Sequence, residues 1–153
     1  MIVFGYDGSE DAQRAIAATS ALMSGRALVA HVWEPVPGGA APAVASPGLA
    51  GAGLPKLADA EREIEAEARA LVEDGARRAA AAGFEAEPVL IRGRGGGAWR
   101  ELVVLAEERG GTVVVVGRRG VSRLRSALLG SVSDGAVKHA RAPVLVVPPP
   151  SAP

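Results

Sequence analysis

Short apolar runs alternate along this chain with longer segments in which apolar residues recur every three or four positions. The runs are rich in Val, Ile and Leu, which is typical of parallel strands that are buried on both faces of a sheet. They predict strands at Ile2–Gly5, Ala27–Trp33, Glu87–Ile91, Thr112–Val116 and Val144–Val147. The segments between them have the period of amphipathic helices, so strands and helices are expected to alternate.

The ends of the predicted helices follow from their capping residues. Ser9 is placed to cap a helix that reaches about Met23, and Asp59 to cap a longer one that ends near Ala82, before Gly83. Acidic residues precede Arg by four positions on the longer helix in the pairs Glu65/Arg69, Glu73/Arg77 and Asp74/Arg78. Two more helices are predicted at about 98–109 and 131–140. This order predicts a single-domain α/β fold, a doubly wound (Rossmann-like) sheet of five parallel strands with helices on both faces.

The length of 153 residues fits one domain, which we expect to span residues 1–148 and to be followed by a flexible tail at 149–153. Within it, residues 35–57 are rich in Pro, Gly and Ala and predict a mobile loop. Such a loop could cover a site, bind a partner or be a tolerated insertion.

Composition narrows the possible functions. The chain has no cysteine, so disulfides and thiolate chemistry are excluded. Its 17 basic and 17 acidic residues balance, and the basic residues are spread along the chain, which argues against a nucleic-acid partner. We find neither a signal peptide nor an apolar run long enough to span a membrane, so we expect a cytoplasmic protein without membrane contact.

Glycines follow the fourth predicted strand in a spacing suited to phosphate. Gly117 and Gly120 come first, and Gly130 and Ser131 follow after nine residues, where a helix is expected to begin. A loop of this kind and the free N–H groups of a helix N-terminus can converge on an anion. The alternative is a tight turn that holds no ligand.

Other motifs predict less. Residues 93–98 match G-x-G-x-x-A, but they follow the third strand and lack an acidic residue about 20 positions later, so we interpret them as a turn. No Walker A lysine is present, and we expect structural roles for His31 and His139.

These residues together resemble the universal stress protein family. The resemblance rests on Tyr6-Asp7-Gly8-Ser9, on His31-Val32, on the pattern G-x2-G-x9-G-S from Gly117 to Ser131, and on the stretch from His139 to Val147. It covers nearly the whole chain and implies the ATP-binding subgroup, which keeps the glycine pattern. It also implies a homodimer formed through Val144–Val147, a strand that we expect at an open sheet edge.

The resemblance implies a nucleotide site formed by Gly5, Tyr6, Asp7, Val32, Val116, Gly117, Arg119, Gly120, Gly130, Ser131, Val132 and Ser133. Val32 would meet adenine through its backbone, whereas the glycines and the two serines would contact phosphates and ribose. Asp7 would accept ribose hydroxyls or, alternatively, cap a helix. Mg²⁺ would be held mainly through phosphates and water, and no protein metal ligand is predicted.

We therefore expect an ATP-binding sensor or regulator of the stress response, with binding rather than turnover as its main activity. The sequence shows no catalytic constellation. Two alternatives stay open. One is slow ATP hydrolysis or self-phosphorylation at Ser122, Ser126, Ser131 or Ser133. The other is a nucleotide-free module that acts through protein contacts.

Overall fold

A computed structural model describes residues 1–35, 54–120 and 129–149 of the chain. Strands and helices alternate strictly within these ranges. The elements are β1 (Ile2–Gly5), α1 (Glu10–Ser20), β2 (Gly25–Trp33), α2 (Leu54–Ala81), β3 (Phe84–Arg92), α3 (Ala98–Glu108), β4 (Val113–Gly117), α4 (Ser131–His139) and β5 (Val144–Val147). Most of the predicted loop, residues 36–53, and the tail at 150–153 lie outside the described residues.

The five strands form one parallel sheet in the order β3-β2-β1-β4-β5. The chain builds the sheet outward from β1, first through β2 to β3 and then from β4 to β5. The order therefore reverses between β1 and β4, and a crevice forms there beyond the carboxyl ends of the strands. This arrangement confirms the predicted doubly wound fold.

Alternate residues of the strands supply two separate cores. Phe4 packs with Ile16 of α1 and Ala79 of α2 on one face. Its neighbour Val3 packs with Leu102 of α3 on the other face, toward which α4 also contributes Val132. Helices α1 and α2 thus cover one face, and α3 and α4 cover the opposite one. Both faces are buried at the centre of the sheet because β1, β2 and β4 are apolar at successive positions.

The predicted start of the second helix is wrong. The helix begins at Leu54 rather than after a cap at Asp59, so the last residues of the predicted 35–57 loop belong to α2. The physical reason is Pro55, which was expected to end a loop. Proline in the first helical turn removes an N–H that would have no intrahelical partner, so it permits a helix to start there.

Other boundaries differ by a few residues. Helix α1 ends at Ser20 instead of Met23, because the N–H groups of Leu22 and Met23 both turn back to the carbonyl oxygen of Thr19. Strands β2 and β3 begin earlier than predicted because they pair with each other along their full length.

The surface of α2 departs from the predicted pairs in one place. Arg77 lies nearest Asp74, at 3.5 Å, rather than pairing with Glu73 as the spacing predicted. Asp74 also pairs with Arg78, which was expected. One carboxylate therefore serves two guanidinium groups, because residues three and four apart share a helix face.

Candidate functional site

A cavity of about 230 Å³ opens at the carboxyl ends of β1 and β4, where the strand order reverses. All twelve residues predicted for the nucleotide site line it, although they come from four separate parts of the sequence. They are joined by Ala12, Ala30, His31, Ala98, Leu102 and Arg118. The fold thus brings the predicted residues to one place.

Part of the cavity lining is apolar. It consists of Ala30 and Val32 of β2, Val116 of β4, and Ala98 and Leu102 of α3. All of these except Ala98 belong to the core cluster on the α3 side of the sheet, and we call this part of the lining the apolar end. The contribution of α3 was missed in the sequence. A signal for it exists, since in an all-parallel sheet the helix after each strand begins at the edge where ligands bind.

The turn from Gly117 to Gly120 is held by three different elements. Arg118 donates its N–H to the carbonyl oxygen of Val147 in β5, at 2.9 Å, and its own carbonyl accepts the N–H of Gly130 at 2.9 Å. The N–H of Arg119 is donated to Asp11 Oδ2 in α1, at 3.2 Å. The backbone of this turn is therefore fixed before any ligand binds.

Gly117 and Gly130 both lie close to other segments of the protein. A Cβ on Gly117 would lie 2.7 Å from the backbone carbon of Asp11, so the missing side chain lets β4 end against α1. A Cβ on Gly130 would lie 3.2 Å from the carbonyl oxygen of Arg118. These two glycines allow segments of the protein to approach each other. The sequence interpretation had them make room for phosphate.

Helix α4 presents its N-terminus to the cavity. Among the described residues no side chain caps this end, where Gly130 is the N-cap. Ser131 is exposed, whereas Ser133 is 1% exposed. The Ser133 hydroxyl points to the carbonyl oxygens of Gly130, at 2.9 Å, and Arg118, at 3.1 Å. Its proton is thus used within the turn, and Ser131 is the serine placed to meet a ligand.

Asp7 is not the cap of α1, which was the alternative role considered for it; that place belongs to Ser9. Asp7 Oδ1 accepts the N–H of Ser9 at 3.0 Å, and Ser9 Oγ in turn accepts the N–H of Ala12 at 3.2 Å, which confirms Ser9 as the cap of α1. Asp7 Oδ2 borders the cavity, because a Cβ on Gly120 would lie 2.5 Å from it. Asp7 therefore orders the loop after β1 and also faces the crevice.

Tyr6 lines the cavity with its backbone and turns its ring away. Its N–H is donated to the carbonyl oxygen of Ala30 at 2.8 Å, and its carbonyl oxygen lies 2.8 Å from His31 Nδ1. A carbonyl can only accept, so the proton is on Nδ1. The ring is 2% exposed and its hydroxyl donates to Asp74 Oδ2 at 3.0 Å. His31 thus has the structural role predicted for it, and it also borders the cavity.

Arg119 brings positive charge to the polar end of the cavity, which the turn from Gly117 to Gly120 and the start of α4 form. Its Nε atom is buried and has no hydrogen-bond partner within the described ranges. A buried guanidinium nitrogen without an acceptor is costly, so an anion at this position would supply what the protein does not. The uncapped N-terminus of α4 favours the same charge.

The residues therefore fit a ligand with an apolar ring system at one end and an anionic group at the other. No group of three or more possible metal ligands occurs in the described part of the chain. None of the helices found in that part is long and apolar enough to cross a membrane.

The fold is that of an α/β protein with a cavity at the switch point of a parallel sheet. The sequence model of the universal stress protein family matches residues 1–148. A universal stress protein of Thermus aquaticus is 34% identical over 149 residues, which cover 95% of this chain and 96% of the relative. The chain belongs to the universal stress protein family.

A second relative, the universal stress protein YxiE of Bacillus subtilis, is 34% identical over 85 residues. This match spans about half of each protein, 56% of the chain and 55% of the relative.

Solved structures share the fold. MJ0577 of Methanocaldococcus jannaschii superposes with a TM-score of 0.73 at 24% identity, over 99% of this chain and 96% of that one. A universal stress protein in complex with cAMP gives a TM-score of 0.65 at 25% identity, over 95% and 94%. One from Archaeoglobus fulgidus in complex with dAMP gives 0.64 at 20% identity, over 95% of each chain.

Proposed function

We propose that this protein binds ATP in the cavity between β1 and β4 and acts as a nucleotide-dependent sensor or regulator of the stress response in the cytoplasm. The observation that carries the proposal is the buried Arg119 Nε, which has no hydrogen-bond partner within the described ranges, together with the start of α4, which no described side chain caps. An anion would satisfy both, and Arg119 and the first residues of α4 line a cavity that is apolar in another part.

The two ends of the cavity suit the two ends of the nucleotide. Adenine would lie at the apolar end, against the backbone of Val32 and beside Leu102. The phosphates would lie at the polar end, near Arg119 and the first N–H groups of α4. Asp7 also lines the cavity and would accept ribose hydroxyls.

Mg²⁺ would accompany ATP through phosphate oxygens and water. Mg²⁺ is commonly held in this way, with few protein ligands.

The relatives support an adenine nucleotide. Two universal stress proteins of the same fold were solved with cAMP and with dAMP. Both ligands combine adenine with a sugar and one phosphate group, which are the parts that the cavity separates. ATP has two phosphate groups more than dAMP, and they would lie at the polar end of the cavity.

The direct test is mass spectrometry of the small molecules that the purified protein releases on denaturation, followed by calorimetric titration with ATP. Ala98→Leu places a larger side chain at the apolar end and should weaken ATP binding at least tenfold, roughly the effect of losing one well-packed contact. Ala66→Leu makes the same change at an exposed position of α2 and should bind as the wild type does.

Two results would contradict the proposal. One is a melting temperature that ATP leaves unchanged at millimolar concentration, which would favour a module that acts through protein contacts alone. The other is equal ATP affinity in Ala98→Leu and wild type. Phosphate release at equal rates in both would assign any hydrolysis to a contaminant.

We also propose a homodimer through β5. This strand lies at the edge of the sheet and pairs only with β4. The carbonyls of Pro143 and Val147 accept N–H groups from the β4 side, so by alternation the backbone groups of Val144 and Val146 face outward. Val146→Pro removes one outward N–H. Light scattering should give a dimer for the wild type and a monomer for the variant, and a monomeric wild type at micromolar concentration would refute the proposal.

A further inference from the structure

Asp11 connects helix α1 to the turn that follows β4. It lies in the first turn of α1, and its side chain is 14% exposed. One carboxylate oxygen, Oδ2, accepts the N–H of Arg119 at 3.2 Å. The other, Oδ1, pairs with the guanidinium of Arg14, one helical turn further along α1. A single side chain thus joins α1 to Arg119, whose buried Nε has no hydrogen-bond partner in the part of the chain that the structure describes.

The connection by Asp11 differs in kind from the other two bonds of the turn. Val147 and Gly130 hold Arg118 through backbone groups that any sequence would supply. Asp11 holds Arg119 through a charged side chain, and the close approach of Gly117 to its backbone brings the carboxylate within reach. The position of Arg119 therefore depends on the identity of this one residue.

A carboxylate at this place raises an electrostatic difficulty. It is hydrogen-bonded to the turn at which phosphates would bind. Like charges repel more strongly where water is partly excluded. Arg14 offsets this negative charge, since its guanidinium is paired with the same carboxylate. The contact is made by an NH2 group of Arg14, and the two opposite charges compensate each other.

We propose that Asp11 is a positioning residue for the phosphate end of the site, and that Arg14 neutralises it so that it orients Arg119 without repelling the ligand. The proposal rests on the proposed function, because it assigns these roles relative to bound phosphates. It requires that the two residues affect the phosphate-dependent part of the affinity and leave nucleoside binding unchanged.

The experiment is calorimetric titration of adenosine, AMP and ATP into the wild type and five variants. Asp11→Ala removes the bond to Arg119 and should weaken ATP binding about tenfold, as loss of one hydrogen bond near a charged group does. Asp11→Asn keeps an oxygen that can accept the Arg119 N–H and should stay within about twofold of the wild type. Adenosine affinity should be the same in all of them.

Arg14→Gln leaves the carboxylate uncompensated. Its effect should grow from AMP to ATP and shrink as salt is added, because each further phosphate adds repulsion that ions screen. The double variant Arg14→Gln/Asp11→Asn should recover wild-type affinity, since it removes the charge that Arg14 had to neutralise. Glu10→Gln removes a carboxylate from the same turn at an exposed position and should change none of the affinities.

A second readout needs no ligand. The backbone amide of Arg119 should exchange its hydrogen faster in Asp11→Ala than in the wild type, and Asp11→Asn should restore most of the protection. Unchanged exchange in Asp11→Ala would overturn the positioning role.

Equal losses of affinity for adenosine and for ATP would also overturn the positioning role, because they would indicate a general loss of structure. If the wild type binds neither ligand, the proposed function fails and the ligand-related roles of both residues fail with it. If the wild type binds ATP but all variants match it, only the present inference fails.

Discussion

The Tyr6 hydroxyl donates a 3.0 Å hydrogen bond to Asp74 Oδ2, and this bond ties the loop after β1 to the middle of α2. The same oxygen accepts Arg78 Nε at 2.6 Å. Hydrogen bonding to Arg78 lowers the pKa of Asp74, whereas burial, followed by the bond to Asp74, raises the pKa of Tyr6 to about 12. Because Asp7 follows Tyr6 directly, the bond also supports one wall of the cavity.

We predict that Tyr6→Phe lowers the free energy of unfolding by about 1–2 kcal/mol, the usual result of removing a buried donor from a charged acceptor. The ring should keep its place, since Phe preserves the packing over Gly75. Urea unfolding measures the difference. A variant as stable as the wild type would show that the bond contributes nothing.

The hydrogen bond between Tyr6 and Asp74 also predicts how the stability of the fold depends on pH. The pKa of Tyr6 is raised in the folded state from its ordinary value of 10.0 to about 12, so the stabilisation is fully present below pH 10 and is lost as the pH rises toward 12. The stability difference between wild type and Tyr6→Phe should therefore shrink over this range. Unfolding curves of both proteins at pH 9 and pH 11 measure it, and a constant difference would contradict the assignment.

Gly135 in α4 lies under the ring of Trp99, which also stacks on His139 at 4.4 Å between ring centroids. A Cβ at position 135 would lie 2.2 Å from the indole. Alanine favours a helix over glycine by up to about 1 kcal/mol, but we predict that overpacking prevails and that Gly135→Ala destabilises the protein by about 1–3 kcal/mol.

The control for this prediction is the same change in a Trp99→Leu background. The smaller side chain relieves the clash, so the substitution should there be neutral or stabilising. Thermal unfolding of the four proteins forms a double-mutant cycle. Additive effects would mean that Gly135 and Trp99 do not meet.

Ser131 and Ser133 should separate ligand binding from stability. Ser133→Ala removes a buried hydroxyl whose two carbonyl acceptors also bond the N–H groups of Gly130 and Asp134, so we predict a small loss of about 0.5–1.5 kcal/mol. Ser131→Ala changes an exposed residue and should leave stability unaltered while weakening ATP binding. Paired melting and titration experiments check both, and the reverse pattern would contradict the assigned roles.

Gly117→Ala should be the most damaging of these small changes. Its Cβ would meet the backbone of Asp11 at 2.7 Å, and backbone cannot rotate away as a side chain can. We predict a loss of more than about 2 kcal/mol, in the range of severe overpacking. Gly110→Ala serves as a comparison for strain, since its Cβ would meet nothing within 4 Å and only its φ of 65° opposes the change. A milder effect at Gly117 than at Gly110 would contradict the close approach.

Much of the fold could be predicted because it is encoded locally. Apolar runs such as Ile2–Gly5 and Val144–Val147 have the length and composition of buried strands, and the structure has them with the same bounds. The start of α2 could not be predicted in this way, because Pro55 is compatible with a loop and with the first turn of a helix.

The twelve predicted site residues also came from the sequence, through the glycine spacing and the family resemblance, and all of them line one cavity. What the sequence could not predict was the direction of each side chain. Ser133 and Tyr6 are placed as expected along the chain, yet their hydroxyls bond to the protein. Asp11, Ala98 and Leu102 were not predicted as site residues.

By itself, then, the sequence determined the alternation of strands and helices, the family and the segments that meet at the site. Periodicity and glycine spacing are properties of neighbouring residues, so they can be read along the chain. Only the tertiary structure decided that Gly117 makes room for α1, that Asp11 holds Arg119, and that Arg119 Nε is buried with no hydrogen-bond partner among the described residues. Those facts depend on which surfaces meet when β4 packs beside β1, and contacts between residues 108 positions apart leave no local pattern.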